Sequence, residues 1–316
     1  MKSQISSATG PRGPVNKTRP GVKPSTIARI LSPVDVGEFL SSYFERRPLV
    51  IRGTGDKFNY LFTPDKFKIG LDRVTEIRAV FPDLWQAQIH PADIKEMIGA
   101  GASICITGLE KAHPRLLKIT ESIKRELNYG GSLSFRSYLS PPGAGFDLHF
   151  DARVATTLQI AGCKRWWFST APAAKFPTNN SPRQLKILQS QYSVPKLKQL
   201  RSVLLRPGDL LCLPAGTWHR ARAQSMSLAL NLAFDHNGAG IFDVILAALH
   251  KKLRDDPEWR SPLPAVIQGE RDAFPPEIAT ILRERIDIMQ RALCDMRDSD
   301  AALKHAWMNS LSSGPQ

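Results

Sequence analysis

Residues 146–168 read FDLHFDARVATTLQIAGCKRWWF. Val, Thr, Leu and Ile dominate its middle, the make-up of a buried strand. His149 and Asp151 stand two residues apart at its start. On a strand, residues i and i+2 project to the same side, so the spacing predicts that these two face together within one strand over 146–160. An ionised carboxylate pointing into a barrel is costly unless it is paired or metal-bound. One nitrogen and one oxygen would then supply two donors to an ion, and a third must come from elsewhere.

The candidate third donor is His219, at the end of LRPGDLLCLPAGTWH, residues 205–219. A turn, a short apolar strand and a second turn precede it, so an antiparallel arrangement can bring it beside His149. Two histidines and a carboxylate on one face form the triad of non-haem Fe(II) oxygenases, which leaves positions open for co-substrate and oxygen. An H-x-D pair alone is a weak signal; its place in a strand and the second histidine strengthen it. Lys164 follows the expected Ala161-Gly162 turn. Pointing inward, it needs an anion, which a dicarboxylate co-substrate would supply. Pointing outward, it is a solvated lysine that protects a sheet edge. Spacing leaves both readings open.

Working outward, strands are expected at 133–139, 146–160, 164–169, 202–205, 209–213 and 225–234, with Gly or Pro between several of them. Many short strands with turn punctuation indicate a small barrel or jelly roll. Before them come a helix start at Ser32-Pro33-Val34-Asp35, a short strand over 48–53, a helix over 91–100, a strand over 103–107 and an amphipathic helix over 114–127. A Pro- and Lys-rich connection fills 170–200, helical around 182–190. From 241 the period is helical again, with one apolar line through Ile241, Val244, Ile245, Leu249 and Leu253 and another through Ile278, Ile281, Leu282, Met289, Leu293 and Met296. The expected organisation is a disordered basic arm over 1–26, a β-domain over 27–240 and a helical region over 241–316.

The chain has 316 residues and a net charge of +14. Residues 1–33 hold six Lys/Arg and no acid, and residues 152–208 hold ten and again no acid. Such blocks attract polyanions, including nucleic acid and acidic peptides; a solubilising arm gives the same composition. No apolar run approaches the ~18–20 residues of a membrane helix, so no membrane association is expected. Cys105, Cys163, Cys212 and Cys294 form no C-x-x-C pair. They read as free thiols in a reducing compartment, which places the chain in the cytoplasm and argues against a cysteine zinc site.

Three blocks resemble the JmjC-type branch of the cupin superfamily, the Fe(II)- and 2-oxoglutarate-dependent oxygenases. ILSPVDVGEFLSSYFERRPLVIRG, residues 30–53, is similar to the lead-in segment of the hydroxylase branch that includes the ribosomal oxygenases. RSYLSPPGAGFDLHFDARVATTLQIAGCKRWWF, residues 136–168, resembles the metal-binding hairpin, and LLRPGDLLCLPAGTWHRAR, residues 204–222, the run to the second histidine. The resemblance spans roughly 27–235. It implies a double-stranded β-helix core, His149, Asp151 and His219 as iron ligands, and an inward Lys164 on the 2-oxoglutarate carboxylate. It places Asn231 beside the co-substrate. Thr157, with the inward parity of His149 and Asp151, is a further contact to co-substrate or substrate. Arg136 stands where ribosomal oxygenases carry an asparagine near the co-substrate, a departure that suits an anionic group. The C-terminal helices, with WRSPLP at 259–264, resemble that branch's dimerisation region, which implies a homodimer; paired apolar helices are also ordinary core elements.

The resemblance implies hydroxylation of an amino-acid side chain in a protein or peptide using Fe(II), 2-oxoglutarate and O2, with succinate and CO2 as co-products. The partner would be acidic or nucleic-acid-associated. The alternatives are a tailoring hydroxylase of a small peptide or amino acid, a non-enzymatic cupin that binds metal or small molecules, and a nucleic-acid binder with no recognition motif beyond its charge.

Overall fold

The computed structural model describes residues 25–69, 71–74, 76–182, 185–236, 240–265 and 274–312. The expected disorder of the basic arm falls on residues that lie, as far as residue 24, outside this set. Ser25 already caps a helix, Thr26–Leu31, whose Ile27, Ile30 and Leu31 are buried. The helix start expected at 32–35 moves: Asp35 is the N-cap of Val36–Glu38 and accepts from the amides of Gly37 and Glu38.

Twelve strands follow among the described residues: β1 (Leu49–Ile51), β2 (Glu76–Val80), β3 (Gln86–Gln88), β4 (Ser103–Thr107), β5 (Ser132–Ser140), β6 (Gly145–His149), β7 (Val154–Ala161), β8 (Lys164–Phe168), β9 (Arg201–Leu205), β10 (Leu210–Leu213), β11 (His219–Ala223) and β12 (Ser227–Asp235). They form an eight-stranded sheet, β1-β10-β7-β12-β5-β4-β2-β3, and a four-stranded sheet, β6-β11-β8-β9. The two antiparallel sheets make the jelly roll that the resemblance implies. Helices flank it, with Pro114–Leu127 on one side and Ile241–Arg254, Pro257–Arg260, Pro276–Arg297 and Asp300–Ser312 after the last strand.

Period-two alternation divides the large sheet's residues. Leu133 and Phe135 of β5 and Leu228, Leu230, Leu232 and Phe234 of β12 join a core with Ile27, Phe39, Phe62, Leu116 and Ile123 from the helical side. The opposite face carries Arg136, Tyr138, Ala229 and Asn231 into a cavity between the sheets. Leu211 and Leu213 of β10 close one part of that space against Phe168, Val203 and Leu205. The large sheet is thus covered on both faces, by the helical side on one and by the small sheet and the cavity on the other.

Turn chemistry sets the strand ends. Gly162 has φ +62°, and a Cβ there would run into the Met226 carbonyl, so the Ala-Gly turn requires glycine. Asp209, in the Pro207–Asp209 turn, is buried, accepts from the amides of Gly53 (3.2 Å) and Arg206 (2.9 Å) and pairs with Arg52 at 2.5 Å. This contact fixes the N-terminal strand against the β9–β10 turn. The sequence reading misses β2, β3 and β11.

One expectation is corrected. The stretch 146–160 is not a single strand. β6 ends at His149 in the small sheet, and β7 begins at Val154 in the large one. Asp151 lies in the crossover, so strand parity does not bring it to His149.

Leu230 is fully buried on the central β12. Leu230→Ala should cost about 2–5 kcal/mol, read as a lower midpoint in urea unfolding with an unchanged slope.

Candidate active site

β6 and β11 pair with His149 opposite His219, and their ring centroids lie 4.2 Å apart. The Nδ1–H of His149 donates to the Asp147 carbonyl at 2.6 Å, and that of His219 to the Thr217 carbonyl at 2.9 Å. Both bonds fix the tautomer and leave the lone pair of Nε2 free to bind a metal, the arrangement of metal-binding histidines.

Asp151 reaches the pair through its crossover. The Gly216 amide donates to the Asp151 carbonyl at 2.8 Å, tying the crossover to the turn that leads into His219. Ser181 brackets Phe150 through two hydrogen bonds, and Asn180 Oδ1 accepts from the Ala152 amide. Arg153 Nη2 lies 3.4 Å from Asp151 Oδ1. One ligand atom from each of His149, Asp151 and His219 lies within 4.8 Å of the others, the one such group among the described residues.

The electrostatics suit a cation. Burial alone would raise the Asp151 carboxyl, but Arg153, the two histidines and Arg136 outweigh it and hold the group well below the usual carboxylate range. Burial, then the neighbouring His149, pushes His219 down to about 4 against the pull of Asp151. Its imidazole is therefore neutral near pH 7, the form that binds a metal. Two imidazole nitrogens and one carboxylate on a single face fit a divalent iron.

Lys164, at the start of β8, points inward and is 1% exposed. Its Nζ donates to Ser140 Oγ at 2.8 Å, and Ser140 Oγ lies 2.8 Å from Ser103 Oγ. Among the described residues no carboxylate pairs with it, and burial pushes the ammonium down to about 7. The outward reading of Lys164 is thereby excluded. Across the large sheet, Arg136, Asn231 and Thr157 stand in one register on β5, β12 and β7, and Asn231 Nδ2 donates to Thr157 Oγ1 at 3.1 Å.

All seven residues singled out from the sequence line one cavity of about 130 Å³. The sequence reading missed Arg153, Ser140, Tyr138, Asn180 and Ser181. Ser140 shares the parity of Arg136 and Tyr138 and was open to the alternation argument. Asn180 and Ser181 arrive from the long connection, where no periodic signal exists.

The JmjC domain model matches residues 113–240. YxbC of Bacillus subtilis is 30% identical over 265 residues, 76% of this chain and 79% of that one. Ribosomal oxygenase 1 of Rattus norvegicus is 28% identical over 182 residues, 55% of this chain, but the chain spans only 29% of that protein. The solved structure of YcfD, a ribosomal oxygenase from Escherichia coli, in complex with cobalt and 2-oxoglutarate superposes with a TM-score of 0.57 at 16% identity, covering 90% of this chain and 72% of that one. A jelly roll with two histidines and a carboxylate facing its cavity defines the class. The chain belongs to the JmjC-domain family.

A buried ammonium without a counter-anion destabilises the empty protein. The folded-state value near 7 lies below the ordinary lysine value of 10.5, so the penalty is full below pH 7 and fades between about 7 and 10.5. Lys164→Met should therefore melt above the wild type at pH 6 without metal or co-substrate, with the gap closing towards pH 10 by calorimetry.

Proposed function

We propose that the chain is an Fe(II)- and 2-oxoglutarate-dependent oxygenase that hydroxylates an amino-acid side chain in a protein or peptide, with succinate and CO2 as co-products. The observation that carries this reading is the convergence of the His149–Asp151–His219 donors and the unpaired Lys164 ammonium on one cavity. Bound Fe(II), with 2-oxoglutarate and O2, supplies the oxidation of a substrate C–H bond.

The chain's own residues bind, orient and exclude water. His149, Asp151 and His219 hold the metal; the Nδ1 bonds to Asp147 and Thr217 keep both imidazoles aimed. Arg153 keeps Asp151 ionised and in place. The Lys164 ammonium and the Ser140 hydroxyl take the distal carboxylate of 2-oxoglutarate, in place of the bond they now make to each other. Asn231 and Thr157 contact the co-substrate from the large sheet. Phe146 and Trp166 wall the cavity beside the metal ligands.

The oxygenase unit is residues 27–240, with residues 241–316 as a helical region. Exposed apolar side chains there, Ile241 at 83% and Phe242 at 73%, support pairing with a second copy. No helix among the described residues is long and apolar enough to cross a membrane. Four unpaired cysteines support a reducing compartment, the cytoplasm. The acid-free connection supports an acidic or nucleic-acid-associated protein partner. Its Asn180 and Ser181 line the cavity, while Lys175, Lys196, Lys198 and Arg201 are exposed.

Incubation with Fe(II), 2-oxoglutarate and candidate peptides should yield succinate and a peptide one oxygen heavier. His149→Ala should lower succinate formation by at least the about 10–100-fold that loss of outer-shell partners costs. Turnover on a macromolecular substrate should fall as salt rises; a salt-independent rate counts against basic docking. Binding of metal and 2-oxoglutarate without coupled turnover on any substrate would favour a non-enzymatic cupin.

A further inference from the structure

Four basic side chains line the cavity, Arg78, Arg136, Arg153 and Lys164, against one acid, Asp151. Three of the four have a partner or an assigned task. Arg153 lies against Asp151, Arg78 Nε lies 3.1 Å from Glu76, and Lys164 reaches Ser140. Arg136 forms no salt bridge among the described residues. Its Nε is buried and has no acceptor, and neither has the Nε of Arg153. Glu110 and Asp151 feel the charge of Arg136, yet neither is within ion-pair reach.

Loading the site does not remove this imbalance. A divalent ion and a dicarboxylate add no net charge, so four cations against Asp151 and the Glu76 partner of Arg78 still leave two positive charges on the wall. A buried guanidinium nitrogen without an acceptor is unfavourable, and the planar fork of the half-buried Arg136 fits a carboxylate through two parallel bonds. A lysine or arginine target would meet charge of its own sign.

We infer that the cavity recognises a substrate group bearing a carboxylate, an aspartate or glutamate, through Arg136 on β5. This rests on the oxygenase reading and names its substrate class. Arg136 stands in register with Asn231, beside the proposed co-substrate position and on the same face as Tyr138. The carboxylate sits there as a fixed handle that orients the neighbouring C–H bonds.

The test uses the full chain loaded with Mn(II) and 2-oxoglutarate in the absence of oxygen. Peptides identical except for a central Asp, Glu, Asn, Gln or Lys are titrated, together with free aspartate and glutamate. Tryptophan fluorescence reads binding, because Trp166 lines the cavity. At least one acidic ligand should bind about tenfold or more tightly than its amide counterpart, the scale of a charge-assisted hydrogen bond. Tighter binding of the acidic peptide than of the free acid identifies a protein target, and the reverse a small molecule. Arg136→Gln should abolish the acid preference, and Arg136→Lys should keep part of it. Arg136→Gln should weaken 2-oxoglutarate, measured by calorimetry, far less than it weakens the acid.

The inference is overturned if acid and amide bind alike or not at all, if the lysine peptide binds best, or if Arg136→Gln weakens 2-oxoglutarate as much as the acid. Normal 2-oxoglutarate binding without acid preference overturns this inference alone. A wild type that binds no 2-oxoglutarate overturns the oxygenase reading and this inference together.

Discussion

The bond from the Gly216 amide to the Asp151 carbonyl joins two segments that belong to different parts of the jelly roll. One is the crossover that carries the chain from the small sheet to the large one. The other is the turn that delivers His219 to β11. With His149 at the end of β6 and opposite His219 in the ladder, this tie, with the Ser181 and Asn180 bonds around it, sets where a carboxylate can stand relative to two imidazoles. Gly216 sits at φ +75°, and a Cβ there would run into the Ala174 carbonyl, so the turn itself depends on glycine. The two Nδ1 bonds then aim the rings. None of the three donors relies on a mobile side chain alone, which is the preorganisation a metal site needs.

The same architecture makes the cavity electrically demanding. The large sheet presents its apolar side chains to the helices and its polar ones to the space between the sheets. Lys164 is therefore held where water is scarce, Arg136 keeps a buried Nε without an acceptor, and each is suited to an anion from outside the protein. The first need matches the distal carboxylate of a keto diacid, the second a group on the substrate. Stability is given up in the empty state to favour the loaded one, a common pattern where binding groups are buried without partners.

Much of this was legible in the sequence because the jelly roll writes itself in period two. The strand over 103–107 and the helix over 114–127 stand where apolar spacing puts them. Lys164 was ambiguous by spacing alone, since its neighbour Arg165 fits the opposite parity equally well; its burial is a tertiary fact. The placement of His149 and Asp151 together was foreseen for a different reason from the one observed. Parity on one strand was expected, whereas a sheet-to-sheet crossover held by Gly216 and Asn180 does the work. β11 was missed because HRARA, residues 219–223, alternates basic and small residues and lacks the β-branched signature of a strand. Arg153 went unremarked because its partner is the proposed metal ligand, a relation that only the fold reveals.

The central claim is that His149, Asp151 and His219 hold one divalent ion and leave the rest of its coordination sphere to co-substrate and oxygen. Anomalous diffraction from crystals grown with Co(II) tests it most directly. The account predicts one strong peak about 2.1 Å from an Nε2 of each histidine and from an Asp151 oxygen, with no fourth protein ligand. A peak elsewhere, or an ion bound by only one of the three, would contradict it.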